Sequence, residues 1–222
     1  MKGGDLRYHL THYFDFYTKD AIKFIILNVA FCIRDIHQNG VIHRDIKPKN
    51  FIFDESGYLH LTDFGLALYK EEDELNVEIA KEENNDEFNP DEEIVGTLPY
   101  IAPEIILGTS RSYSVADFYS FGVIIYEMIF RKKPYEGISR YEIGKEMLDN
   151  KINYADNYKY TQNLFGFMRK LLEINPEDRL GATFGINEII ENEYFKDVKV
   201  GIIEYKIYDS PFLEIIDYLR KT

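Results

Sequence analysis

Asp45, Lys47 and Asn50 lie on one short stretch, with Asp63 further on, and together these are the side chains that a phosphoryl transfer needs. Such a reaction requires a carboxylate to take the attacking hydroxyl's proton, a cation on the moving phosphoryl group and hard oxygen ligands for Mg²⁺. In the run His43-Arg44-Asp45-Ile46-Lys47-Pro48-Lys49-Asn50, Asp45 offers the carboxylate, Lys47 the cation and Asn50 an amide oxygen. The second run, Thr62-Asp63-Phe64-Gly65, adds Asp63 as a further metal ligand. Groups of this kind must be held still, and strand ends hold them better than a free loop does. Val41-Ile42, Phe51-Ile52-Phe53 and Tyr58-Leu59-His60-Leu61 read as short strands, with Asp54-Glu55-Ser56-Gly57 as the turn between the last two.

Helical spacing of apolar residues dominates the rest. In residues 21–38, Ile22, Ile25, Ile26, Val29, Ile33 and Ile36 recur at helical intervals, and further helices are predicted over 139–150, 162–173, 186–194 and 212–221. Residues 115–130 are the most apolar window. They contain Asp117 and Glu127 and fall short of the roughly 20 residues a bilayer crossing needs, so the window reads as a buried central helix and not a membrane span. With 222 residues and 45% hydrophobic content, a single mainly helical domain with short hairpins is expected.

Composition narrows the function classes. Cys32 is the only cysteine, which excludes an intrachain disulfide and a cysteine-based metal site, and its place in the 21–38 pattern makes it a core thiol. The 18 Tyr and 16 Phe at helical spacing read as core and groove lining. A net charge of −13 opposes nucleic-acid binding. Met1-Lys2-Gly3-Gly4-Asp5 is no apolar targeting stretch, which points to a cytoplasmic or nuclear protein. Twelve acidic residues and two Lys between positions 70 and 93 account for −10 of the charge. So polar a run buries too little apolar surface to offset its ordering entropy and is expected to be disordered, either as a solvated spacer or as an autoinhibitory or docking segment for basic partners.

His-Arg-Asp with Asn five residues after the Asp, then Asp-Phe-Gly, then Ala102-Pro103-Glu104, resembles the signature set of eukaryotic protein kinases, and Lys47 two residues after Asp45 resembles the Ser/Thr type. The likeness covers essentially the whole chain. Gly3-Gly4-Asp5-Leu6-Arg7-Tyr8-His9-Leu10 is similar to the segment just after the kinase hinge, and Gly96-Thr97-Leu98-Pro99-Tyr100-Ile101 to AGC-type kinases, both being closest to the YANK subgroup. Asp117-Phe118-Tyr119-Ser120-Phe121-Gly122 resembles the start of helix F, with Tyr119 where Trp is usual. Asn175-Pro176-Glu177-Asp178-Arg179-Leu180 is similar to the late motif whose Arg pairs with the Glu of Ala-Pro-Glu.

The resemblance implies a fold and a set of roles. The fold would be the kinase C-terminal lobe over residues 1–222, mainly α (α+β), with 70–93 inserted in the activation segment and 205–222 as a C-terminal extension. Asp45 would be the base and Lys47 the phosphoryl cation; Asn50 and Asp63 would hold Mg²⁺, or Mn²⁺ in its place. Asp5 would meet the ATP ribose, and Ile52 would join Lys47, Asn50 and Asp63 around the nucleotide. His43 would be an apolar-spine member, Phe64 and Asp117 would be structural, and Glu104 and Arg179 would form a buried ion pair. Protein Ser/Thr hydroxyls would be the substrates. Asp5 and Glu127 align with positions that favour basic residues before the acceptor, whereas Lys49 stands where an acidic residue is common and weakens that preference. Thr97 would contact Asp45, and Ile94, Leu98 and Ile101 would form the pocket for the residue after it. No Ser or Thr lies between Thr62 and Thr97, and Glu93 occupies the usual phosphosite. It either pairs with Arg44 as a permanent mimic of phosphate or simply belongs to the acidic run.

Some kinase parts are not in this sequence. There is no Gly-x-Gly-x-x-Gly loop, no strand lysine of the Val-Ala-Ile-Lys kind and no helix-C glutamate, and two residues precede Gly3. The expectation is therefore a catalytic lobe completed by an N-terminal lobe in cis or from another chain, binding ATP poorly alone. The alternative is a non-catalytic kinase-like binding or regulatory module, against which the retention of Asp45, Lys47, Asn50 and Asp63 argues.

Overall fold

The computed structural model describes residues 3–69, 94–109, 113–149, 152–154 and 160–221. Two long helices form its centre, α2 (Lys19–His37) and α4 (Tyr113–Phe130). Thr18 starts α2 by accepting a hydrogen bond from Ala21 N at 3.2 Å. Ile22, Ile25, Ile26, Val29 and Ile33 are all buried along it. Helix α4 is buried on every side from Phe118 to Ile129, in keeping with its mainly apolar sequence, and the buried Ser120 and Glu127 within it are hydrogen-bonded. Gly122 lets α6 (Gln162–Leu171) come close, because a Cβ there would lie 2.9 Å from Leu171 Cβ. Near these lie α3 (Pro103–Leu107), which packs on α4 and on α5 (Arg140–Leu148), and α7 (Ile186–Ile190) and α8 (Val200–Glu204), which pack on α2.

The strands are few and short. β2 (Phe51–Phe53) and β3 (Leu59–Leu61) form an antiparallel hairpin with Phe51 opposite Leu61 and Phe53 opposite Leu59, and α2 packs on β3. β1 (Val41–Ile42) pairs with β4 (Leu68–Tyr69), a strand that two residues cannot announce in sequence. The two ladders bracket the loops that carry Asp45, Asn50 and Asp63.

Several boundaries differ from the periodic reading. Helix α1 (Leu6–His12) is capped by Asp5, which accepts from Tyr8 N at 2.8 Å, in a segment with too few apolar residues to show a period. The pattern at 186–194 breaks after Ile190, because Asn192 accepts from Tyr194 N at 3.0 Å and opens a separate 3₁₀ turn, Glu193–Phe195. Residues 205–221 complete the core. Ser210 Oγ donates to Gly57 O at 2.7 Å and Tyr58 OH to Tyr208 O at 2.6 Å, while the Phe212 ring meets His9, Tyr17, Phe24 and Phe53 before α9 (Leu213–Lys221) begins. Among the described residues no helix is long and apolar enough to cross a membrane. The acidic run 70–93 lies outside the described residues.

Candidate active site

A buried carboxylate on the central helix sets the shape of the loop that follows β1. Asp117 Oδ1 accepts from Arg44 N at 2.9 Å, and its Oδ2 accepts from His43 N at 3.0 Å and lies 2.8 Å from His37 Nε2. Three bonds on one carboxylate that is 1% exposed fix the backbone at His43 and Arg44, where Arg44 takes the left-handed φ of 64°. His43 is fully buried and has a defined tautomer. Its Nδ1 accepts from Asp45 N at 3.3 Å, so Nε2 carries the proton and donates to Thr62 O at 3.1 Å. Thr62 in turn donates through N and Oγ1 to Asn50 O, at 2.9 and 3.0 Å. These bonds staple the loop 43–50 to the strand end that leads into Asp63.

Every side-chain oxygen of Asp45 is then aimed. Lys47 Nζ donates to Oδ2 at 2.6 Å and to Thr97 Oγ1 at 2.8 Å, and the Thr97 hydroxyl donates to Oδ1 at 2.7 Å. Asn50 Nδ2 donates to Asp45 O at 2.9 Å and to Oδ2 at 3.3 Å, which leaves its amide oxygen as the atom with metal-binding chemistry. Thr97 reaches this cluster from a distant part of the chain. Gly96 makes that approach feasible, for its φ is 122° and a Cβ would stand 2.9 Å from Arg44 O. Asp63 is exposed, with a left-handed φ of 65°, and Phe64 sets its ring edge-on to His43 at 5.2 Å between centroids.

The donor set suits Mg²⁺. Among the described residues no group of three or more His, Cys, Asp or Glu could cage an ion. Mg²⁺ is commonly held by one or two protein oxygens together with substrate phosphates and water, and Asp63 and Asn50 meet that description.

The sequence that builds this arrangement matches a known family. The family described as Protein kinase domain matches residues 1–195. This chain is a protein kinase family member. A probable serine/threonine-protein kinase of Dictyostelium discoideum is 31% identical over 96% of this chain and 51% of its own length. Protein kinase 3 of the same organism is 31% identical over 96% of this chain and 22% of its own length. Ribosomal protein S6 kinase alpha-6 of Danio rerio is 29% identical over 96% and 26%. The chain thus spans about half or less of the curated relatives it matches.

Other expected kinase positions divide. Asp5 stands beside Ile52 through an isolated bridge, although its carboxylate also caps α1. Arg179 and Glu104 form the expected buried pair. Arg44 Nε donates to Leu66 O at 2.7 Å, and Glu93 lies outside the described residues. A small pocket beside Asp45 is lined by Val95, Thr97, Tyr100 and Ile101 together with Ala116, Asp117 and Ser120 of α4. Ile94 and Leu98 are half-buried and do not line it.

Glu127, expected near the peptide site, is buried and fully paired. Arg7 donates to it through both terminal nitrogens, with Nη2 to Oε2 at 2.7 Å; Lys133 donates to Oε2, and so does the Tyr100 hydroxyl, at 2.7 Å. Both cations also donate to the Tyr100 oxygen. Arg7 already matches the carboxylate's charge and leaves Lys133 as surplus. Burial, with the Arg7 guanidinium beside it, pushes the Lys133 ammonium down to about 7. Neither cation stood out in sequence, since nothing in their spacing links positions 7, 127 and 133.

Proposed function

We propose that this chain is the C-terminal lobe of a Ser/Thr protein kinase that transfers the γ-phosphoryl group of ATP to protein hydroxyls. The observation that carries the reading is the Asp45 carboxylate, 6% exposed, held on Oδ1 by Thr97 and on Oδ2 by Lys47 and Asn50. A carboxylate so fixed is placed to accept the proton of an incoming Ser or Thr hydroxyl, and Lys47 stands beside it where negative charge gathers on the moving phosphoryl group. Asn50 and Asp63 would hold Mg²⁺, which when bound would neutralise phosphate charge. Asp5 and Ile52 contribute to the nucleotide side. Exposed Phe64, Leu66 and Tyr69 form an apolar rim next to Asp63, which supports an N-terminal lobe, in cis or from another chain, as its cover.

The test is transfer of radiolabelled γ-phosphate to a protein substrate by the full-length protein and by its D45N variant. A loss of about 10²–10⁴ in kcat with little change in the KM for ATP is expected. Equal transfer by both proteins would overturn the role of Asp45, and no transfer by the unaltered protein would overturn the activity.

A further inference from the structure

The Glu127 corner adjoins the segment whose Thr97 holds Asp45. The Tyr100 amide donates to Thr97 O at 2.9 Å, and the Tyr100 hydroxyl is the hub on which Arg7, Lys133 and Glu127 converge. A substrate segment that reaches Asp45 along the stretch from Thr97 to Tyr100 comes close to this cluster.

The charge there is the reverse of what Glu127 alone would supply. One carboxylate is shared between two cations, so with Lys133 protonated the corner holds one surplus positive charge, and with Lys133 neutral it holds none. In neither state is it anionic. A basic side chain of a substrate would have to displace Arg7, which is tethered to the same chain and grips both carboxylate oxygens; a partner at micromolar concentration competes poorly with one held in place. An acidic side chain meets no such competitor. The bonds described engage three of the five guanidinium N–H groups of Arg7 and two of the three ammonium N–H groups of Lys133, which leaves donors on both cations. Both side chains are in part open to solvent, at 36% and 26%, whereas Glu127 beneath them is at 9%. A second observation points the same way: Lys49 is exposed on the loop that carries Asn50, and Lys132, next to Lys133 in sequence, is exposed as well, while Arg131 is matched by Asp15 at 3.6 Å.

We propose that Arg7 and Lys133 are specificity-determining residues that make this corner a receptor for Asp or Glu side chains of the protein substrate. The proposal rests on the kinase reading for the direction from which a substrate approaches Asp45, and it concerns recognition, which binding measures without catalysis.

Fluorescence anisotropy of the full-length protein with two labelled peptides decides it, the peptides sharing one Ser and differing only in flanking Glu or flanking Arg residues. The Glu peptide is expected to bind about tenfold tighter. In E127Q, which keeps the shape and frees both cations, that ratio should widen. In the double variant R7L/K133M, which frees Glu127, it should reverse. Equal or tighter binding of the Arg peptide to the unaltered protein would overturn the proposal, as would an unchanged ratio in E127Q; that variant alone suffices if the double variant fails to fold. Phosphate transfer to the same peptides is read in parallel. Its absence from every peptide would overturn the kinase reading, while the binding ratio would still decide the acidic preference.

Discussion

Arg179 closes on Glu104 with both guanidinium arms, Nη1 to Oε1 at 2.6 Å and Nη2 to Oε2 at 2.7 Å, across 75 positions of sequence and with each residue no more than 1% exposed. Arg179 also donates to Glu173 O and Val115 O, both at 3.1 Å, and its guanidinium lies 5.0 Å from the centre of the Tyr119 ring. The pair thereby ties the segment carrying Thr97 and Tyr100, which runs into α3, to the end of α6 and the start of α4. Removing the cation strands a buried carboxylate. Arg179→Ala should cost about 3–5 kcal/mol, and with it roughly 10 °C of melting temperature. Arg179→Lys should recover only part, since an ammonium cannot fork. Thermal unfolding followed by circular dichroism checks this; unchanged melting of the alanine variant contradicts it.

Lys133 should leave a mark on the pH dependence of stability. It faces Arg7 from α1, Glu127 from α4 and Tyr100 from the turn before α3. Its folded value of about 7 lies below the ordinary 10.5, so between these limits the unfolded chain binds more protons than the folded one. Stability from this group therefore rises with pH from about 7 to 10.5, and below 7 the cost of holding the buried charge is present in full. Lys133→Met should be more stable than the unaltered protein at pH 6 and should show a flatter profile up to pH 10. Urea titrations at pH 6, 8 and 10 provide the comparison, and parallel profiles would refute the assignment.

Phe212 tests whether the last residues belong to the core. Its side chain is fully buried and its ring contacts come from α1, from β2, from α2 and from the turn between α1 and α2. Phe212→Ala should destabilise the protein by about 3–5 kcal/mol. A loss under about 1 kcal/mol in urea unfolding would show that residues 205–221 are only draped on the surface.

Cys32 should be inert in the folded protein. Burial pushes its thiol up to about 12, and Sγ lies 3.4 Å from Leu59 O. Iodoacetamide at pH 8 is expected to modify it in urea and to leave it unmodified under native conditions, as read by mass spectrometry. Equal rates in the two conditions would contradict this.

The two long helices were legible because their apolar residues recur over many turns, and a long pattern leaves little room for another reading. β4 and α3 were not: two to five residues contain too few periods, and their form is set by what they pack on. The 186–194 pattern misled because Asn192 serves better as a cap than as a helix interior. Around Asp45, side chains of the types that phosphoryl transfer uses lie within one short run, with Asp63 a little further on, so Asp45, Lys47, Asn50 and Asp63 stand out as candidates from order alone.

What order could not supply was the partnership of residues far apart. Thr97 meets Asp45 across 52 positions, and Glu127 meets Arg7 across 120. A carboxylate read from sequence counts as one negative charge; in the folded chain the net charge of its surroundings depends on which cations packing brings within hydrogen-bond reach, and at Glu127 packing brings two. Which groups the loop offers is readable along the chain, because it depends on residue type and near spacing. The net charge of the Glu127 corner is readable only in the fold, because Coulomb interactions follow distance in space and not along the chain.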